Sequence, residues 1–279
     1  MIKVGTSGYS YRDWVGEFYP RGTQSKDFLK LYSQFFTVTE INSTYYRVPD
    51  PSMFTGMLRK APSDFEFVVK LSKQFTHERD KIESVADSFK RGIQPLIATD
   101  RLVALLAQFP YSFKPNSESF DHLKKIRHIF SDLHINVEFR NRFWIQDDTF
   151  RFLENNNLGY VCVDMPNLRN LVPPVARATF EPAYVRFHGR VRENWWDPPE
   201  PYMRYDYQYE EEELSPWVKK IEKLETSIGT VTVFFNNHFA GQSAKNAVMM
   251  AEMLELSPPE IATSPKQMKL PTDAENRLF

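Results

Sequence analysis

Carboxylates, cations and amides recur in this chain at the ends of short apolar runs. The endings read GTSGYS, TEINSTYY, VVKLS, LAQFP, VEFR, VDMP, VRFHGR and FFNNH. If each run is a strand, alternation puts Glu40 with Asn42, Glu138 with Arg140, and Arg186 with His188 on shared faces. Lys70, Gln108, Asp164 and Asn236 sit at comparable depth. Burying so many charges for stability alone is often no better than packing hydrophobic groups there, so the set reads as a pocket.

Several chemistries are open to these residues. Glu40 and Glu138 could work as an acid/base or nucleophile pair, as in glycosidases, at separations of about 5 to 9 Å. Pairing with Lys70 or Arg140 would instead hold each glutamate ionised and make it a poor acid. Lys70 could form a Schiff base if neighbouring cations lowered its pKa, although the nearby acidic groups act against that. A catalytic metal needs several histidines and carboxylates directed at one point. Six histidines are present, of which His188 and His238 lie near strand ends and His77 on a loop. Glu40, Glu138, Asp164 and His188 could bind one hard ion, but Lys70, Arg140 and Arg186 would compete as internal cations. The expectation is no metal and no cofactor.

The elements that must position these groups follow from the pattern. Strands are expected at 2–6, 37–42, 65–71, 102–109, 135–140, 159–164, 183–188 and 230–236, several of them nearly continuous β-branched and aromatic runs. Amphipathic stretches lie between them. Phe28, Leu31, Tyr32, Phe35 and Phe36 share one helical face, as do Leu123, Ile126 and Phe130, and Trp217, Val218, Ile221 and Leu224. Helix starts are expected at Asp50-Pro51-Ser52, at Asp147 or Asp148, and at Ser215-Pro216. Residues 165–182 hold Pro166, Pro173, Pro174 and Pro182, and no full-length sixth helix fits there. Eight strand–helix alternations define a single-domain α/β (β/α)8 barrel, a TIM barrel, with that irregular segment in place of a full sixth helix. An open doubly wound sheet is the alternative, but no GxGxxG follows the first strand. The barrel is placed at 1–257, with 258–279 as a loosely ordered or surface-wrapped tail.

In a barrel the strand C-termini form the active site, and the loops after the last two strands often hold phosphate on a helix N-terminus. Here Arg186, His188 and Arg190 leave the seventh strand, and Asn237, His238, Gly241, Ser243, Lys245 and Asn246 follow the eighth. A phosphate or carboxylate site is expected there, unless Ser243 serves only as an N-cap. Tyr9, Tyr11 and Trp14, Tyr45 and Tyr46, Phe143 and Trp144, and Trp195 and Trp196 suit stacking on bases or sugar rings, with Trp144 expected in the core. The stretch 189–209 reads as a lid or binding wall, and Glu210–Glu213 as a solvated helix start.

Composition narrows the setting. The 279 residues carry 35 basic and 36 acidic groups, a formal net charge of -1, which gives no broad attraction to nucleic acid. One cysteine excludes an internal disulfide and a cysteine-based zinc cluster. The start MIKVGTSGYSYRDW reads as neither signal nor transit peptide, and no run of about 18 apolar residues occurs, so a cytoplasmic protein without a membrane partner is expected.

The strings VGTSGYSYRDW, EINSTYYRVP, VVKLS followed by His77, AQFP, VEFRNRFW, VRFHGR and FFNNHFAGQSAKNA resemble the YecE-like family, domain of unknown function 72. The resemblance runs over roughly residues 2 to 255 and implies a TIM barrel with its site at these motifs. It implies no settled reaction. Such barrels are similar in architecture to endonuclease IV and xylose isomerase, a likeness of fold alone. The reading that combines these strands is an enzyme, metal-independent, for a phosphate-bearing or carbohydrate-like small ligand. Its acid/base is Glu40 or Glu138, with Lys70, Arg140 and Arg186 as stabilisers and Asn42, Gln108 and Asn236 as positioning groups. The alternatives are a nucleic-acid-binding protein using the same mouth and a non-catalytic sensor. The sequence gives no oligomeric state.

Overall fold

Continuous apolar runs become the strands of one eight-stranded sheet, seen in a computed structural model that describes residues 1–259 apart from Asn194. The strands are β1 (Ile2–Thr6), β2 (Val38–Ile41), β3 (Glu66–Lys70), β4 (Leu102–Gln108), β5 (Ile135–Glu138), β6 (Gly159–Asp164), β7 (Ala183–Phe187) and β8 (Val231–Phe235). Their order is β1-β8-β7-β6-β5-β4-β3-β2, and every pair is parallel. The helices outside are α1 (Phe28–Tyr32), α2 (Pro51–Leu58), α3 (Ile82–Ala98), α4 (Ser117–Ile129), α5 (Asp147–Asn155), α6 (Glu211–Ile228) and α7 (Gln242–Met253). This is a single-domain TIM barrel. No helix lies between β6 and β7, because the prolines of 165–182 remove the donors that a helix needs.

The seam between β1 and β2 closes differently from the others. A single bridge joins Ser7 to Glu40 there. Just below it the Tyr32 hydroxyl of α1 enters the gap, accepting from the Thr6 amide at 2.8 Å and donating to the Val38 carbonyl at 3.2 Å. Gly5 makes room for this approach, since a Cβ there would lie 2.3 Å from the Val38 oxygen.

Some local expectations are corrected. Helix α6 starts at Glu211, with Glu210 and Glu213 forming a capping box, so Ser215-Pro216 lies inside it. Burial of Leu214 and Trp217 carries the helix through the missing Pro216 donor. Gln146 takes the N-cap position of α5, and Asp147 and Asp148 fall in its first turn. Helix α1 ends at Tyr32, so Phe35 and Phe36 pack against Phe18 from the turn that follows. Asp50 caps α2 by accepting from the Ser52 amide, as the sequence suggests. The expected tail lies outside the described residues from 260 onward. Among the described residues no helix is long and apolar enough to cross a membrane.

Candidate functional site

The inner faces of β2, β5 and β7 meet in a buried charge cluster. Alternation on β7 turns Tyr184, Arg186 and His188 inward together, and Glu40 and Glu138 reach Arg186 from either side. The Arg186 guanidinium donates to Glu138 at 2.5 Å and to Glu40 at 2.7 Å, with both carboxylates fully buried. Glu40 also accepts from Tyr184 at 2.5 Å and from Asn42 at 2.8 Å. Arg140 donates to Glu138 at 2.7 Å. Burial alone would raise the Glu138 pKa, but Arg140, Arg186 and His188 outweigh it and hold the carboxyl well below its usual range. Glu138 is therefore a fixed anion at neutral pH. It is not placed to act as an acid.

His188 is tied into the same cluster as a neutral ring. Burial, and then the Arg140 charge, lower its pKa to about 3. Its Nδ1 faces the Asn236 amide at 3.1 Å and its Nε2 faces Glu138 at 3.1 Å. Assigning the hydrogen to Nε2 satisfies both bonds, with the amide donating to Nδ1.

Lys70 stands apart in this charge count. Two guanidiniums, Arg140 and Arg186, already balance Glu40 and Glu138. The ammonium of Lys70 donates to the Gln108 side-chain oxygen at 2.8 Å and lies 4.6 Å above the Tyr45 ring. The Gln108 amide nitrogen is held by the Phe109 carbonyl at 2.8 Å, which turns its oxygen toward Lys70. No ion pair joins Lys70 to a carboxylate among the described residues. Burial, reinforced by the Arg186 charge, lowers its pKa to about 7 against the weaker pull of Glu138 and Glu40.

Above these groups opens a cavity of about 730 Å³. Lys70, Arg140, Arg186, Asn42, Gln108 and Asn236 line its floor, while Glu40, Glu138 and His188 sit directly behind as their partners. Tyr9, Tyr11, Tyr45, His77 and His238 form one wall. Tyr11 stacks on His238 with centroids 4.8 Å apart, and His77 meets the edge of Tyr45 at 5.0 Å. Burial and then Lys70 lower the His77 pKa to about 4, so this ring is also neutral. The 189–209 stretch adds Trp195, Trp196, Arg204 and Tyr205 to the wall, with Tyr205 packed 5.6 Å from His238. Four residues of the cavity lining each keep a buried polar atom without a protein partner: Asn42 Oδ1, Arg140 Nε, Arg186 Nε and Arg204 Nε.

The remaining sequence candidates gather elsewhere. Asp164 at the end of β6 accepts from Arg190 at 2.8 Å through two nitrogens, and from Tyr209 and Trp217 at 2.8 Å each. Arg190 also reaches Glu213 at 3.0 Å. Asn246 exchanges hydrogen bonds with the Tyr209 backbone and accepts from Asn237. Lys245 pairs with Glu17 at 2.9 Å, Gly241 supplies the left-handed turn before α7, and Ser243 is fully buried. None of these seven lines the cavity. The two cations of the expected anion site are thus engaged by carboxylates, Arg190 by Asp164 and Glu213 and Lys245 by Glu17, and the start of α7 lies apart from the cavity. The aromatic candidates divide too: Trp14 and Trp144 are core, Phe143 is exposed away from the mouth, and Tyr46 lines it. Sequence reasoning missed Tyr184, which the β7 alternation could have shown, and Arg204 and Tyr205, which no periodicity marks. Among the described residues no group of three or more His, Cys, Asp and Glu side chains is placed to hold a metal ion.

Fold and site define a TIM barrel whose mouth is a polar, aromatic-walled cavity over a charge-balanced floor. The family described as "Protein of unknown function DUF72" matches residues 3–271, and the chain belongs to it. The UPF0759 protein YunF of Bacillus subtilis (strain 168) is 31% identical, covering 97% of this chain and 100% of its own. The crystal structure of a DUF72 family protein from Thermotoga maritima MSB8 is 40% identical with a TM-score of 0.85, covering 91% of this chain and 99% of its own. One from Enterococcus faecalis V583 is 29% identical with a TM-score of 0.83, covering 96% and 100%.

Proposed function

We propose that this protein is a metal-independent enzyme for a phosphate-bearing or carbohydrate-like small molecule, with Lys70 as its acid/base. The observation that carries this is the position of Lys70 on the cavity floor, as the cluster cation with no carboxylate of its own. A general base works best with a pKa near the operating pH, and an amine near 7 meets that condition. Glu40 and Glu138, engaged by Arg186, act as fixed counter-charges. The Arg140 guanidinium on the cavity lining offers a positive charge to an anionic group, and the tyrosine and tryptophan walls suit a ring.

The reading is tested by thermal melting with sugar phosphates, each against sodium chloride of matched ionic strength. A ligand at about 100 times its Kd adds roughly 2.7 kcal/mol, a rise of several degrees for a chain of this size. Arg140→Ala should remove that rise. Unchanged melting with every phosphorylated sugar would sink it.

One observation favours a second reading, nucleic-acid binding. Tyr46 and Trp196, 77% and 53% exposed, stand on the rim as stacking platforms for unpaired bases. Affinity that grows with oligonucleotide length and falls steeply with salt would support it over the small-molecule enzyme.

A further inference from the structure

Four features of the floor together suit covalent chemistry. Lys70 faces the cavity from β3 and is steered by a neutral amide, Gln108, whose own nitrogen is fastened to the Phe109 carbonyl. The Tyr45 ring covers one side of the amine at 4.6 Å. The carboxylates that would otherwise neutralise it are engaged by Arg186 and Arg140. The Arg140 side chain, 12% exposed, brings a guanidinium charge to the lining of the same cavity. A lysine needed only for stability would be expected to own a carboxylate, because an unpaired buried ammonium is costly. A nucleophilic lysine is instead activated by an apolar or cationic surrounding that favours the free amine.

We propose that Lys70 forms an imine with the carbonyl carbon of a ligand that also carries a phosphate or carboxylate, the anionic group resting against Arg140. This deepens the enzyme reading above and rests on it. The Lys70 ammonium first gives up a proton to solvent. Its lone pair then attacks the carbonyl carbon, forming the C–N bond while the C=O π pair moves to oxygen. That oxygen takes up a proton as the nitrogen loses one, giving a carbinolamine. Loss of the hydroxyl as water leaves the C=N bond. One amine and one carbonyl yield one imine and one water, and no oxidant or reductant takes part. Protonated, the imine draws electrons from the adjacent carbon. The reactions it supports are proton removal or carbon–carbon cleavage next to a carbonyl.

Reductive trapping tests this on the intact wild-type protein. Glyceraldehyde 3-phosphate and pyruvate are added separately with cyanoborohydride, and the adduct is located by peptide mapping. Glyceraldehyde without phosphate serves as the comparison. The expected result is one predominant adduct on Lys70, formed roughly tenfold faster or more at pH 7.5 than on a lysine of ordinary pKa. Its rate should rise through pH 7 and level off above, following the Lys70 amine. The anionic carbonyl compounds should outpace the uncharged one, and Lys70→Arg should lose the adduct. Labelling spread over exposed lysines, at equal rates in wild type and Lys70→Arg, would overturn the imine. If sugar phosphates still raise the melting temperature while Lys70 stays unlabelled, the imine fails and the acid/base reading stands. If they neither raise it nor label Lys70, both fail.

Discussion

Arg186 stands between two carboxylates with its side chain 2% exposed, so water can replace none of its bonds. Truncating one partner of a buried ion pair leaves uncompensated charge, at a cost of about 3 to 5 kcal/mol. Arg186→Ala is therefore expected to lower the free energy of unfolding by that much in urea titrations. Adding Glu40→Gln and Glu138→Gln should recover part of the loss, since neutral amides leave no charge stranded. If the triple variant were the least stable, lost packing volume would be the cause and not lost pairing. His188 gives a pH signature of its own. Its folded pKa, about 3, lies below the unfolded value near 6.5. Between those values the unfolded chain binds the proton and the folded one does not, so stability falls as pH falls. From pH 7 to pH 5 this ring alone should remove about 2 kcal/mol. Urea titrations at the two pH values should show it, and the difference should shrink by that amount in His188→Gln.

At the scale of elements, the β1–β2 seam depends on a side chain where the other seams depend on backbone ladders. Tyr32→Phe keeps the ring but strips the hydroxyl from between the Thr6 amide and the Val38 carbonyl. A buried donor and acceptor left unsatisfied cost about 1 to 3 kcal/mol, and denaturant unfolding should report a loss of that size. Hydrogen exchange at Thr6 should quicken more than exchange at Val233, which lies in the continuous ladder. The strands themselves were plain in the sequence, since runs such as YVCVD and TVTVFF have no other stable use than a sheet buried on both faces. Their ends were less plain. Asn42, Leu71, Arg140 and His188 continue the alternation one or two residues past the strand ends, and Leu71 and His188 still bond backbone to backbone with Leu106 and Asp164. The start of α6 was obscured because Ser-Pro resembles a helix opening, while the operative signal, Glu210 with Glu213, sits five residues earlier in a run of like charge.

Across the whole molecule, the residue types of the site were legible and their partnerships were not. Parallel strands closing into a barrel bring their C-terminal residues to one mouth, which is why Lys70, Gln108, Arg140, Arg186 and Asn236 share a cavity. Which cation neutralises which carboxylate depends on strand tilt and on how loops return, and neither is written in one strand's alternation. Arg190 shows this: two residues after His188, it turns away to Asp164 on the neighbouring strand. That same carboxylate also takes the Tyr209 hydroxyl, so both ends of the 189–209 stretch are moored to one atom group on the barrel. The residues between are a span hung from that post and braced along its length by Tyr202 on Phe239 and by Gln242 donating to Asp206. Lengthening such a span costs little, about 0.6 kcal/mol for each doubling of its length. Evolution can thus redraw the outer wall of the mouth, its tryptophans and its Arg204 included, while the charged floor beneath keeps its balance. Related chains with different appetites would then differ in the hung span and agree at the post.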